Sequence, residues 1–176
     1  MLHHPLYRER FAENLQKEIP RLALAKDFRL CASIGGRLIN VHVGYETAMR
    51  FDLEWIEHPA EPLSCLVTGR MRLNEDAGTI EVNNSLTVAG IPAEAFNYVL
   101  GTRSALEWLV DQYRFEKDDD GNVTSDPNDP ANEHFIVELI ERVTTVSIDT
   151  LALVRELPPD LDFTAPNEGR KRALTI

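Results

Sequence analysis

The chain has little of what the commonest chemical signatures require. Its 176 residues include two cysteines and two tryptophans, and aromatic residues make up 7%. Cys31 and Cys65 stand apart with no CxxC spacing, which fits small buried hydrophobes better than a disulfide or a zinc site. No apolar run is long enough to cross a bilayer, and MLHHPLYRER at the N-terminus lacks a signal peptide's apolar stretch. The expectation is a cytoplasmic protein with no membrane partner. The GxxxxGK[ST] phosphate loop of nucleotide motors is missing. In the acidic stretch EKDDDGNVTSDPNDP, placing Gly121 at the sixth position of a calcium loop puts Pro127 where the bidentate acid belongs. That stretch reads as a flexible connection, and neither metal nor cofactor is expected.

Basic residues are scarce too. Lysine and arginine number 18 against 29 aspartates and glutamates, for a net charge of −11. Affinity for a duplex comes largely from Lys and Arg displacing counterions at phosphates, so the chain as a whole is a poor DNA binder. The basic residues are uneven, however. They gather before Arg50 and in Arg170, Lys171 and Arg172, while residues 116–129 are acidic.

What is present is a core-forming pattern. A chain this long buries about 70% of the surface its unfolded form exposes. Residues 1–157 read as one α+β domain, helices at both ends around a small antiparallel sheet, and residues 158–176 as a loose tail. Tyr7, Phe11 and Leu15 predict a first helix from Pro5 to about Glu18, ended by Pro20. Asp27 caps a second, with Phe28, Cys31, Gly35, Leu38, His42 and Tyr45 on one face, and Gly35 and Gly36 imply close backbone packing. His42 reads as a hydrogen-bonded core residue. Pro92 and Gly101 bracket another predicted helix, and Ser104 to Glu107 form a capping box that opens the next, with Leu106, Leu109, Val110 and Tyr113 as its apolar face. Trp108 flanks that face. Asp129 and Pro130 start a long final helix with a seam through Ile136, Ile140, Val143, Thr150, Val154 and Leu157, stopped by Pro158 and Pro159.

Between the helices the period changes to two. Cys65, Val67, Gly69, Met71 and Leu73 predict one long strand, and a turn at residues 74–78 leads into a return strand with Ile80, Val82, Leu86 and Val88 facing inward. Asn83 and Asn84 interrupt that return strand with a bend. Arg70 and Arg72 project from the solvent face, near Asn83 and Ser85. Arginine and asparagine match guanine and adenine edges, and a two-stranded ribbon fits the major groove, so these four residues are candidate DNA contacts. An ordinary wet face is the alternative, with Glu81 pairing to Arg70 or Arg72 across the strands.

The chain resembles the C-terminal region of the type ISP restriction-modification enzymes. The resemblance runs in order through LHHPLYRERF, LEWIEHP, SLTVAGIPAEAF, RSALEWLVDQY, DPND and FIVELIERVTTVS, from Leu2 to Leu157. In that family a nuclease, a helicase-like motor, an adenine-specific DNA methyltransferase and a target-recognition region share one polypeptide. The resemblance implies a non-catalytic module of a bacterial defence enzyme, whose partners are DNA, met through the parent enzyme, and the parent's methyltransferase and helicase domains. The methyltransferase's glycine-rich cofactor loop and Asn-Pro-Pro-Tyr type motif have no counterpart here, so no catalytic residue is carried over. The family's active sites lie upstream of the matched region, and the chain reads as an excised domain or the product of a shortened gene. The alternative is a structural domain that packs on the methyltransferase without touching bases.

Overall fold

The alternation that begins after Phe51 folds into a four-stranded antiparallel sheet. The computed structural model describes residues 3–15, 17, 27–59 and 61–159. The sheet contains β1 (Glu54–Glu57), β2 (Arg72–Asn74), β3 (Thr79–Asn83) and β4 (Leu86–Ala89), ordered β1-β4-β3-β2, so β1 and β2 are its edges. Arg72 lies opposite Glu81, and Glu81 opposite Thr87, on the outer face. Ile80, Val82, Leu86 and Val88 are fully buried on the other face. Against them pack Leu106, Leu109 and Val110 of α4 (Ala105–Gln112) and Ile136, Val137 and Ile140 of α5 (Phe135–Arg155). Each such aliphatic side chain contributes about 1.5–3 kcal/mol of transfer free energy.

The α+β class is as expected, and several elements differ from the sequence reading. The return strand is two strands, because the interruption at Asn83 and Asn84 is a tight reversal that adds a strand to the sheet. The long strand from Cys65 shrinks to β2. Its first part, bent at Leu66 and Gly69, buries Cys65, Val67 and Met71, and side chains hold the backbone of Ser64, Leu66 and Val67 in place of a strand ladder. The Asn83 amide donates to the carbonyls of Ser64 and Leu66, both at 2.8 Å. Asn128 accepts from the Val67 amide at 2.8 Å and donates to the Val67 carbonyl at 2.9 Å. The DPND sequence is thus a clamp on a segment 61 positions away.

The helix expected between Pro92 and Gly101 is a 3-10 helix, Ala93–Asn97, followed by the two-residue strands β5 (Val99–Leu100) and β6 (Arg103–Ser104). Gly101 supplies the left-handed turn between them at φ 70°. The Ser104–Glu107 capping box forms as expected: the Glu107 amide donates to the Ser104 hydroxyl at 3.1 Å, and the Ser104 amide to the Glu107 carboxylate at 2.7 Å. The acidic stretch is no loose connection. It folds as the hairpin β7 (Glu116–Lys117) and β8 (Val123–Ser125), closed by Asn122 donating to Asp118 and turned at Gly121, φ 85°. The final helix begins at Phe135, since Asp129 and Asn132 are first engaged in a bridge.

The described residues divide into two compact units, Val41–Leu151 and the chain on either side of it, with boundaries inside α5 and α3 (Phe28–Val43). The sheet and its helices belong to the first. In the second, the expected opening helix is two pieces, α1 (Pro5–Arg10) and α2 (Ala12–Leu15). Tyr7 is buried there, and the His4 ring lies 2.7 Å from the Pro158 carbonyl oxygen. Asp27 caps α3 by accepting from the Leu30 amide at 2.9 Å. The buried residues of α3 are Ile34 and Leu38, while Phe28 is exposed. A Cβ at Gly35 or Gly36 meets nothing within 4 Å among the described residues, so the close backbone approach expected there is not found. The expected tail, residues 158–176, lies outside the described residues beyond Pro159.

Candidate nucleic-acid interface

Alternate burial along residues 70–73 sets the direction of the arginines. Met71 is buried and Leu73 packs against the core, so Arg70 and Arg72 project outward, their side chains 72% and 78% exposed. Arg72 lies on an edge strand and pairs with Glu81 across the ladder at 3.4 Å, the pairing expected of a wet face. Arg70 faces α4, where its guanidinium is 3.6 Å from Asp111.

Asp111 collects further arginines. Arg103 donates to Oδ2 at 2.9 Å, and Arg114 to Oδ1 at 3.5 Å while also meeting Glu116 at 2.7 Å. The Arg103 hydrogen bond, reinforced by the charges of Arg103, Arg114 and Arg70, holds the Asp111 carboxyl below its usual range. Between β2 and α4 runs a groove of about 770 Å³, its walls including Arg70, Arg72, Arg103, Asp111, Glu75 and Glu107. Sequence reasoning missed Arg103 and Asp111. The available signal was the capping box, which places Asp111 two helical turns beyond Ser104 and Arg103 just before it.

The other two candidates do not join this face. Asn83 sits at the β3–β4 reversal with its side chain engaged on both ends: it donates to Ser64 and Leu66, and its oxygen accepts from the amides of Ser85 at 2.7 Å and Leu86 at 3.0 Å. Ser85 is buried, and its hydroxyl accepts from the Ser64 amide at 3.0 Å. The structure brings Arg70, Arg72 and Arg103 together and gives Asn83 and Ser85 to the scaffold.

A second concavity, about 280 Å³ and mainly apolar, is bounded by Tyr45, Tyr98, Trp108, Tyr113, Leu100 and His42. Trp108 is 45% exposed on its rim, whereas Leu109 is buried. The His42 ring stacks on Tyr98, and its Nε2 lies 3.0 Å from the Tyr98 hydroxyl and 3.1 Å from the Thr150 hydroxyl. Burial lowers the pKa of His42, keeping the ring neutral, as the expected hydrogen-bonded core residue would be. Among the described residues no cluster of His, Cys, Asp and Glu could hold a metal ion, and no helix is long and apolar enough to cross a membrane.

Solved structures of larger proteins share this architecture. A nuclease-deletion mutant of the Type ISP restriction-modification enzyme LlaGI, in complex with a DNA substrate mimic, is 36% identical over 91% of this chain, with a TM-score of 0.77. The ATP-dependent Type ISP restriction-modification enzyme LlaBIII bound to DNA is 31% identical over 89% of it, also at 0.77. A DrdV–DNA complex is 31% identical over 90%, at 0.76. The chain spans only 13%, 10% and 17% of the lengths of those three. No curated protein matches. The family model described as the Type ISP C-terminal specificity domain matches residues 1–142, and the chain belongs to that family.

Proposed function

We propose that the chain is a non-catalytic module that contributes DNA target recognition to a restriction-modification enzyme carrying an adenine-specific methyltransferase. Membership of a specificity-domain family supports the reading, as do relatives solved with DNA. The observation that carries it is the pair Arg70 and Arg72, exposed side by side where the chain enters the edge strand β2, beside a groove that Arg103 also lines. Two guanidiniums presented together at the start of an edge strand have the donors for bidentate contacts to guanine O6 and N7. Asn83 and Ser85 serve this interface indirectly, by holding the β3–β4 reversal.

The test places the chain with the methyltransferase, fused or added in trans, because the charge of −11 opposes approach to phosphate. Arg70→Ala or Arg72→Ala should relax preference at a defined base, at about 1–3 kcal/mol per bidentate contact. Unchanged preference in both variants would overturn the base-reading role. The purified chain should transfer no labelled methyl group to DNA. Transfer that a point change in this chain abolished would refute the non-catalytic reading.

One observation favours a second reading, a structural domain that packs on the methyltransferase. A half-exposed tryptophan on the rim of an apolar, tyrosine-rich pocket is the side chain most often found at the energetic centre of protein interfaces. On that reading Trp108→Ala weakens association with the methyltransferase and leaves base preference alone.

A further inference from the structure

We propose that the groove beside β2 seats a phosphodiester group of the DNA backbone, with Arg103 as the phosphate contact and Asp111 as the residue that positions it. The inference deepens the proposed target-recognition role and rests on it. Arg103 comes from β6, not from β2, which carries Arg72 and which Arg70 precedes, and it lines the same groove. Three guanidiniums converge on the one Asp111 carboxylate: Arg103 at 2.9 Å on Oδ2, and Arg114 at 3.5 Å and Arg70 at 3.6 Å on Oδ1. Counting Glu116, which holds Arg114 at 2.7 Å, positive charge still exceeds negative within this cluster.

Of the two further acids in the wall, Glu107 has its carboxylate committed to the Ser104 amide in the capping box. Glu75 lies in the turn between β2 and β3, outside the arginine cluster. Ion pairs this exposed are weak and exchange readily. A phosphate offers guanidinium the same forked acceptor geometry as a carboxylate, so the transfer of Arg103 from Asp111 to a phosphate conserves its bonding. In the absence of DNA, Asp111 keeps Arg103 and Arg70 oriented. When DNA binds, a phosphate at Arg103 sets the register at which Arg70 and Arg72 meet base edges, since phosphate contacts position a protein without reading sequence.

The experiment uses the full chain with the methyltransferase and follows fluorescence anisotropy of labelled duplexes, with and without the target sequence, across a salt series. Arg103→Ala should weaken binding to both duplexes by a common factor and lower the slope of log affinity against log salt by about one. Arg103→Lys should restore the slope, because the charge returns. Asp111→Asn keeps the side-chain shape and removes the charge. It should tighten binding to both duplexes, steepen the slope and shrink the ratio between target and non-target. Unchanged affinity and slope in Arg103→Ala would overturn the seat, as would a loss confined to the target duplex, which would make Arg103 a base contact. An unchanged target ratio in Asp111→Asn would overturn the positioning role, and if that variant fails to fold, the two Arg103 variants decide the seat alone. Should Arg70→Ala and Arg72→Ala leave preference intact while Arg103→Ala flattens the salt slope, the base-reading proposal fails and the phosphate seat stands.

Discussion

Replacing Asn83 by alanine is the most direct probe of how this fold is held. The Asn83 side chain donates to two carbonyls, Ser64 and Leu66, and accepts from the amides of Ser85 and Leu86 and from the Ser85 hydroxyl at 2.9 Å. A typical hydrogen bond contributes about 0.5–1.5 kcal/mol net, and a buried partner left unsatisfied costs about 1–3 kcal/mol. Leu86 is fully buried and Ser85 nearly so, while Leu66 is exposed and its carbonyl can turn to water. Two or three partners therefore lose their bond at real cost, which places the loss at about 3–5 kcal/mol. That is a large share of the about 5–15 kcal/mol that holds a domain of this size together.

Urea denaturation followed by tryptophan fluorescence measures the change, and Asn83→Asp sharpens it. Aspartate keeps the acceptor for Ser85 and Leu86 but sets an anionic oxygen against the Ser64 and Leu66 carbonyls, so it should cost as much as alanine or more. A loss below about 0.5 kcal/mol for Asn83→Ala, the range of neutral surface changes, would refute the scaffold role. Normal stability with altered base preference would return Asn83 to the interface.

Three further outcomes are expected. Leu109→Ala, at a buried position in α4, should cost about 2–5 kcal/mol in denaturant melts, and a change under half a kcal/mol would show that this helix does not face the core. Gly78→Ala should cost about 2 kcal/mol or more, because φ is 63° and a Cβ would sit 2.5 Å from the Ile91 carbonyl oxygen; a melt equal to wild type would contradict that geometry. His42 has a folded pKa below its unfolded value near 6.5, so the unfolded chain binds more protons as pH falls through that value. Stability should therefore be full above about pH 7, decline below about 6.5, and level off under the folded pKa. His42→Gln should flatten that decline, and an unaltered slope would place the responsible group elsewhere.

Much of this fold is legible in the sequence where the cause is local. The Ser104–Glu107 box, the Asp27 cap and the turn at residues 74–78 depend on a few adjacent residues, and each forms. The errors share one origin. Ile80, Val82, Leu86 and Val88 keep the same parity straight through the reversal, so alternation reads the same for a bent strand and for a hairpin. Cys65, Val67 and Met71 alternate as a strand would, yet the carbonyls of Ser64 and Leu66 and the backbone of Val67 are held by side chains far away in the sequence, Asn83 and Asn128, which no local period reveals. Pro92 and Gly101 bracket a segment as they would a helix, but strand pairing of Val99 with Ser104 takes the second half. At the candidate site, parity exposes Arg70 and Arg72. Arg103 joins them only because α4 packs beside β2, and nothing within either segment encodes that packing.

The charge of the chain then takes on a different meaning from the one its sum implies. A net −11 spread over the surface weakens long-range attraction to any duplex and screens poorly matched encounters. Three arginines are gathered against it: Arg70, Arg103 and Arg114 converge on the Asp111 carboxylate beside an open groove, with Glu116 as the other acid in the cluster. On the proposed function this division suits a specificity module. On that proposal the rest of the enzyme would supply affinity, and the module would add a small number of contacts whose effect depends on which sequence lies beneath them. A module with its own basic surface would hold every sequence about equally and dilute that discrimination, because uniform phosphate binding strengthens target and non-target alike.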